Sequence, residues 1–356
     1  MQRGELRGAV ARGPPGGPGG PALPAPPLRR RVVTKRERLR AALRGEAVDR
    51  PPVALWRHFP REDARPQTLA AAHVHFYTTY DWDFLKVTPA SGYYGDDWGL
   101  HAGYRPNREG TRHYTDRPVK KVADWAGLRS LDVTAGVYGR ELHTLHLIRE
   151  ALSEDIILAT VFSPLSIART LCGDQALLRY LREQPDVLHQ GLATITDVTG
   201  RFAAETLNAG ADGIFFATQC ATTDYLTEEE YEEFGRPYDL QVLDAAAQAE
   251  VRLLHLHGSH VMFDLVTDYP VDAINWHDRQ TPPTLAEARQ RYSGCLVGGL
   301  DQETLSRGTP EEVAGQVHDT IAQTSGRGLI IAAGCVTFVD TPDANLHAVR
   351  TAVAHN

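Results

Sequence analysis

The chain has 356 residues, 42% of them hydrophobic and 23% charged, the proportions of an ordinary globular protein. No apolar run approaches the length that spans a bilayer, and a net charge of −8 argues against nucleic acid as the main partner, since a phosphate backbone asks for a basic face. The four cysteines, Cys172, Cys220, Cys295 and Cys335, lie far apart and form no CxxC pair, the usage of a reducing cytoplasm rather than of a disulfide framework.

Residues 1–33 contain GPPGGPGGPALPAPP followed by Arg29, Arg30 and Arg31. Such a stretch has too few apolar side chains to bury, and its prolines and glycines interrupt any signal-peptide core. It reads as an unstructured tail, or as the product of an upstream start codon. Residues 34–356 suffice for one large α/β domain.

From residue 50 onward, short apolar runs alternate with longer amphipathic segments. Eight runs are expected as strands: Val53–Trp56, Phe84–Val87, Ile156–Phe162, Gly213–Ala217, Val251–His257, Ala273–His277, Cys295–Gly299 and Leu329–Ala333. Most are near-continuously hydrophobic, as parallel strands buried on both faces are. Between them, Thr227–Glu230, Thr284–Glu287 and Thr309–Glu312 place a Thr and a Glu at capping-box spacing, so the acidic run 228–234 reads as the start of a helix. Eight strands with intervening helices predict a single (β/α)₈ TIM barrel. The polar stretch Pro89–Gly136 shows no strand pattern and reads as a loop excursion over the barrel mouth. No GxGxxG, GxxxxGK[ST], GxSxG or HExxH occurs, which removes the main support for nucleotide-binding and common hydrolase readings.

Several residues at the expected strand ends could carry chemistry. His255 and His257 share one face of their strand, because side chains alternate. Cys335 follows the last strand at a matching height. Two His and one Cys with an open fourth position describe a catalytic zinc site. The same spacing equally suits a hydrogen-bonded rim with Cys335 as a small buried hydrophobe. Arg57, His58 and Arg61 follow the first strand and could fork substrate carboxylates, or the arginines could pair with Glu62 and Asp63. Lys86, inside an apolar run, is a candidate for anion binding or proton transfer, against an ion pair with Asp81 or Asp83. Asn275 and His277 share a face beside the histidine strand, and His277 or Asp278 could be a fourth ligand, a supporting partner or a general base. Gln219 and Asp301 end further strands as possible pocket residues, although an acid in that place also caps the next helix.

The opening ERLRAALRGEAVDRPPV at 37–53 and the ending GLIIAAGCVTFVDTPDANLHAVRTAV at 328–353 resemble the uroporphyrinogen decarboxylase (URO-D) superfamily, and INWHD, LVGGLD and GTPEEV fall between them in that family's order. The resemblance covers residues 34–354 and implies a (β/α)₈ barrel. For the decarboxylase branch it implies an Arg pair, met here by Arg57 and Arg61. It also implies an Asp where Lys86-Val87-Thr88 stand, a Tyr that SPLSIARTLCGD lacks, and a His where Cys335 stands. The zinc-dependent methyltransferase branch implies HxC and a distant Cys. His255 and Cys335 match, and His257 stands in place of the first Cys. A His₂Cys set carries one negative charge fewer than HisCys₂, making zinc the stronger Lewis acid and its bound thiolate the weaker nucleophile. The resemblance thus points to zinc held by His255, His257 and Cys335, and to methyl transfer from a corrinoid on a partner protein to a small thiol. Arg57, His58, Arg61, Gln219 and Asp301 would contact an anionic substrate, and Lys86, His277 and Asp278 would assist the chemistry. Two alternatives stand beside it: decarboxylation of tetrapyrrole acetate side chains, and a non-catalytic corrinoid- or tetrapyrrole-binding barrel.

Overall fold

A computed structural model describes residues 33–354, together with Gly8 and Gly13. The tail expected at 1–33 therefore lies almost wholly outside the described residues. Residues 33–354 belong to one compact unit.

Among the described residues there are nine strands: β1 Leu85–Val87, β2 His101–Tyr104, β3 Arg112–Asp116, β4 Ile157–Phe162, β5 Gly213–Thr218, β6 Val251–Leu256, β7 Ala273–Asn275, β8 Cys295–Leu300 and β9 Leu329–Ala333. Seven of them form one parallel sheet in the order β1-β4-β5-β6-β7-β8-β9, with helices in the connections. They are the apolar runs of the sequence, and their residues are buried almost without exception. Burial on both faces explains why the runs show no alternation.

The first expected strand, Val53–Trp56, is not a ladder strand. Only Val53 pairs, in an isolated parallel bridge with Ile331 of β9. Pro51 and Pro52 have no N–H to donate, and the Val53 amide donates to the Asp83 carboxylate instead of a neighbouring strand. Even so, the segment touches both sheet edges. Ile331 donates to the Pro52 carbonyl (2.8 Å) and Asp83, just before β1, to the Val53 carbonyl (2.9 Å).

A second difference concerns the stretch from Pro89 to Gly136, which is not strandless. β2 and β3 pair as an antiparallel hairpin, flanked by the helices Tyr93–Asp96 and Val122–Ala126. The Asn107 side chain accepts from the amides of Gly110 and Thr111, and Gly110 takes a φ of +77° that suits glycine alone. The strands HAGY and RHYTD are half-exposed and carry little apolar signal.

Helix starts follow their caps. Thr227, Thr284 and Thr309 each accept from the third helical amide while the glutamate there reaches back, three complete capping boxes. Among the described residues, no helix is long and apolar enough to cross a membrane.

Candidate metal centre

The parallel strands deliver their following residues to one end of the sheet, where a cavity of about 550 Å³ opens. His255 is the second-last residue of β6, and His257 comes just after it, its amide donating to the Thr218 carbonyl at the end of β5. His277 lies two residues beyond β7 and Cys335 two beyond β9. One donor atom from each of these four side chains lies within 4.8 Å of the other three. The Cys335 sulfur is 3.7 Å from both His255 Nε2 and His257 Nδ1. Tetrahedral zinc, with bonds near 2.3 Å to sulfur and 2.0–2.1 Å to nitrogen, separates such pairs by about 3.6 Å.

Gly334 permits this convergence. A Cβ there would lie 2.7 Å from the His277 Cα, so only glycine lets the end of β9 pass so close to the end of β7.

The protonation states suit metal ligation. Burial lowers the pKa of His255 well below the imidazole range, takes His257 down to about 4 and also lowers His277, so the rings stay neutral at pH 7 with lone pairs available. His277 Nε2 is buried with no hydrogen-bond partner, a cost that a metal bond would remove. Burial also pushes the Cys335 thiol up to about 11, against the pull of the Val336 amide and Lys86. A bound metal would displace its proton. The donor set and the orphaned nitrogen therefore fit a zinc ion.

Other expected site residues fall into two groups. His58, Lys86 and Gln219 line the cavity. Lys86 is buried without a carboxylate partner: its ammonium lies 4.6 Å from the Phe215 ring centre, donates to Thr88 Oγ1 (3.2 Å), and is pushed down to about 7 by burial. Asp81 and Asp83 are engaged elsewhere, by Lys35 with Arg350 and by Arg38 with Arg50. His58 Nδ1 donates to the Pro89 carbonyl.

Arg57, Arg61, Asp278 and Asp301 are not on the cavity wall. The Arg57 guanidinium folds away to the Val339 carbonyl and over Phe59, and Arg61 is exposed. Asp278 turns inward to accept from the Gly299 amide, in space left by the missing side chain of Gly298. Asp301 caps the helix Gln302–Arg307 and accepts from Gln280.

Sequence reasoning missed the opposite wall. The hairpin supplies Glu109, Arg112, Tyr114 and Arg117, and Arg169 joins them from the helix Pro164–Cys172. Arg112 pairs with buried Asp63, and Arg169 pairs with Asp174 (2.9 Å) with its guanidinium 3.8 Å from the Tyr225 ring centre. An arginine amid the buried residues of that helix was the available signal for Arg169.

Residues 34–355 match the family model described as uroporphyrinogen decarboxylase (URO-D). A methylcobamide:CoM methyltransferase, MtbA, of Methanosarcina acetivorans is 23% identical over 334 residues, 88% of this chain and 95% of that protein. A uroporphyrinogen decarboxylase of a Synechococcus species (strain JA-3-3Ab) is 24% identical over 336 residues, 87% of this chain and 91% of that protein. Among solved structures, a methyltransferase from Methanosarcina mazei superposes with a TM-score of 0.81 at 19% identity, covering 90% of this chain and 98% of the other, a likeness of fold.

Proposed function

Since the chain belongs to the uroporphyrinogen decarboxylase family, we propose that it is an enzyme of the zinc-dependent methyl-transfer kind, moving a methyl group from a corrinoid on a partner protein to a small thiol. The observation that carries this reading is the convergence of His255, His257, His277 and Cys335 at the cavity floor. The relative named as a methylcobamide:CoM methyltransferase supports it, and the decarboxylase relatives at similar identity support the broader statement of an enzyme of this family. With the short segment 52–54 between β9 and β1, we read the sheet as the (β/α)₈ barrel of that family.

His255, His257 and Cys335 would hold the zinc, with His277 the fourth donor. When bound, zinc supplies the Lewis acidity that keeps a thiol ionised near neutral pH. The chain's own residues then orient and shelter the reacting groups. Lys86, a buried amine without a carboxylate partner that lines the same cavity as Cys335, would gain its proton beside an anion and so favour an anionic acceptor. Phe215 stacks against the His255 ring (5.4 Å between centres) and, with Trp56, seals the floor against water. Arg117, held at the Thr170 carbonyl and over Tyr114, offers further positive charge across the cavity.

Elemental analysis of the purified full chain tests the reading, with Cys335→Ala and His257→Ala in parallel. The expected result is about one zinc per chain, lost in both variants, with methyl transfer from methylcobalamin to a thiol following the metal. Unchanged metal content in Cys335→Ala would refute the site. Metal-independent turnover of uroporphyrinogen would select decarboxylation, a reading that rests on the decarboxylase relatives and loses support from the position of Arg57 and Arg61 off the cavity wall. Tight pigment binding without any product would select the non-catalytic alternative.

A further inference from the structure

We infer that Asn275 is a positioning residue that decides which nitrogen of His255 faces the other three donors. Asn275 closes β7 and is fully buried, in register with His255 of β6 on one side and Val297 of β8 on the other. Its amide nitrogen donates to the Val297 carbonyl (2.9 Å) and to the carbonyl of Ala333 (3.2 Å), the last residue of β9. Both amide hydrogens are thus consumed by groups that can only accept.

That fixes the other end of the side chain. Turning the amide over would press its oxygen against two carbonyl oxygens and leave both of them without a donor, a buried arrangement that disfavours the flip. The oxygen therefore faces His255, whose Nδ1 lies 2.7 Å away. A carbonyl-type oxygen has no hydrogen to give, so the imidazole must donate, and its proton sits on Nδ1. Nε2 is left with the lone pair, and Nε2 is the atom 3.7 Å from the Cys335 sulfur. With the proton on Nε2 instead, two lone pairs would meet at 2.7 Å and an N–H would point into the donor cluster.

One side chain therefore ties the ends of β6, β7, β8 and β9 together while setting the tautomer of one imidazole. Cys335 stands two residues beyond the Ala333 carbonyl that the same amide holds, so Asn275 also steadies the approach of the sulfur. A histidine whose non-ligating nitrogen is fixed in this way is the better metal ligand, and loss of such a partner weakens metal binding by roughly 10–100-fold. The consequence for metal rests on the zinc reading, whereas the tautomer does not.

The test is long-range ¹H–¹⁵N correlation of the metal-free full chain with ¹⁵N-labelled histidine at pH 7.5, the His255 signals being assigned by their loss in His255→Gln. The expected result is the Nδ1–H tautomer at His255 in the parent chain, giving way to the Nε2–H form or a mixture in Asn275→Ala. Zinc titration of the same proteins should show a dissociation constant roughly 10–100-fold weaker in Asn275→Ala. An Nε2–H His255 in the parent chain, or an Nδ1–H His255 that survives Asn275→Ala, would overturn the inference. The parent measurement decides even if that variant fails to fold. A tautomer shift with no zinc bound by any of the proteins would support the positioning role and remove the zinc reading instead.

Discussion

At Gly334 the absence of one methyl group lets two strand ends meet. A Cβ there would press on the His277 Cα at 2.7 Å and on the Trp276 carbonyl oxygen at 3.1 Å, both backbone atoms that cannot swing aside. Gly334→Ala should therefore push the end of β9 from that of β7 and separate Cys335 from His277. The expected cost is about 1–3 kcal/mol of stability in urea denaturation, as for other overpacked sites, together with weakened zinc uptake. Uptake equal to the parent's would mean that this close approach is not what assembles the donors. The sequence carried much of this grouping. His255 and His257 are two apart on a strand and so share a face, and Cys335 follows an unmistakable apolar run. His277 was open to three roles, because nothing local tells a ligand from a supporting partner. Arg57 and Arg61 could not be placed at all, since the direction of a side chain after a strand end depends on neighbours remote in sequence. Arg57 turns to Val339, 282 residues later.

Elements depend on such remote partners too, and Asp83 shows how. Fully buried just before β1, its carboxylate accepts from Arg38 (2.7 Å), Arg50 (2.6 Å) and the Val53 amide (2.8 Å). It thereby joins the helix Lys35–Leu43, the segment bridging the sheet edges, and the first sheet strand. Asp83→Ala would leave two largely buried guanidinium groups without their shared anion, for an expected loss of about 3–5 kcal/mol in denaturant. A loss below about 1 kcal/mol would show that Asp49, which also pairs with Arg38, holds the helix alone. The seven sheet strands and the capping boxes were legible because apolar runs and Thr-x-x-Glu spacing act locally. The hairpin was not, because HAGY and RHYTD are half-exposed and neither needs an apolar face. Its one local signal is the turn PNREG. Nor could apolarity alone reveal that Val53–Trp56, whose first amide turns to the Asp83 carboxylate, would form a single bridge rather than a ladder.

Across the whole molecule, acids buried away from the cavity floor set how stability responds to pH. Burial raises Glu141 and Asp239 to about 7 and Asp96 and Asp278 to about 6, while many surface carboxylates paired with arginines are lowered. Asp239 isolates the first effect. Its Oδ2 accepts from the Tyr231 (2.6 Å) and Tyr269 (3.3 Å) hydroxyls, its Oδ1 is buried without a partner, and the nearby Arg236 pairs with Asp268 instead. Desolvation outweighs the two tyrosine hydrogen bonds, so the folded chain holds the proton to about pH 7 while an unfolded Asp releases it near 4. The stabilising contribution is thus fully present below about pH 4. It falls by about 1.4 kcal/mol per pH unit between 4 and 7, and is constant above. Stability relative to Asp239→Asn, measured by urea denaturation at each pH, should decline across that window and level off beyond it. A difference independent of pH would mean that the carboxyl is already ionised at pH 4 in the fold. The two tyrosine hydrogen bonds would then outweigh burial.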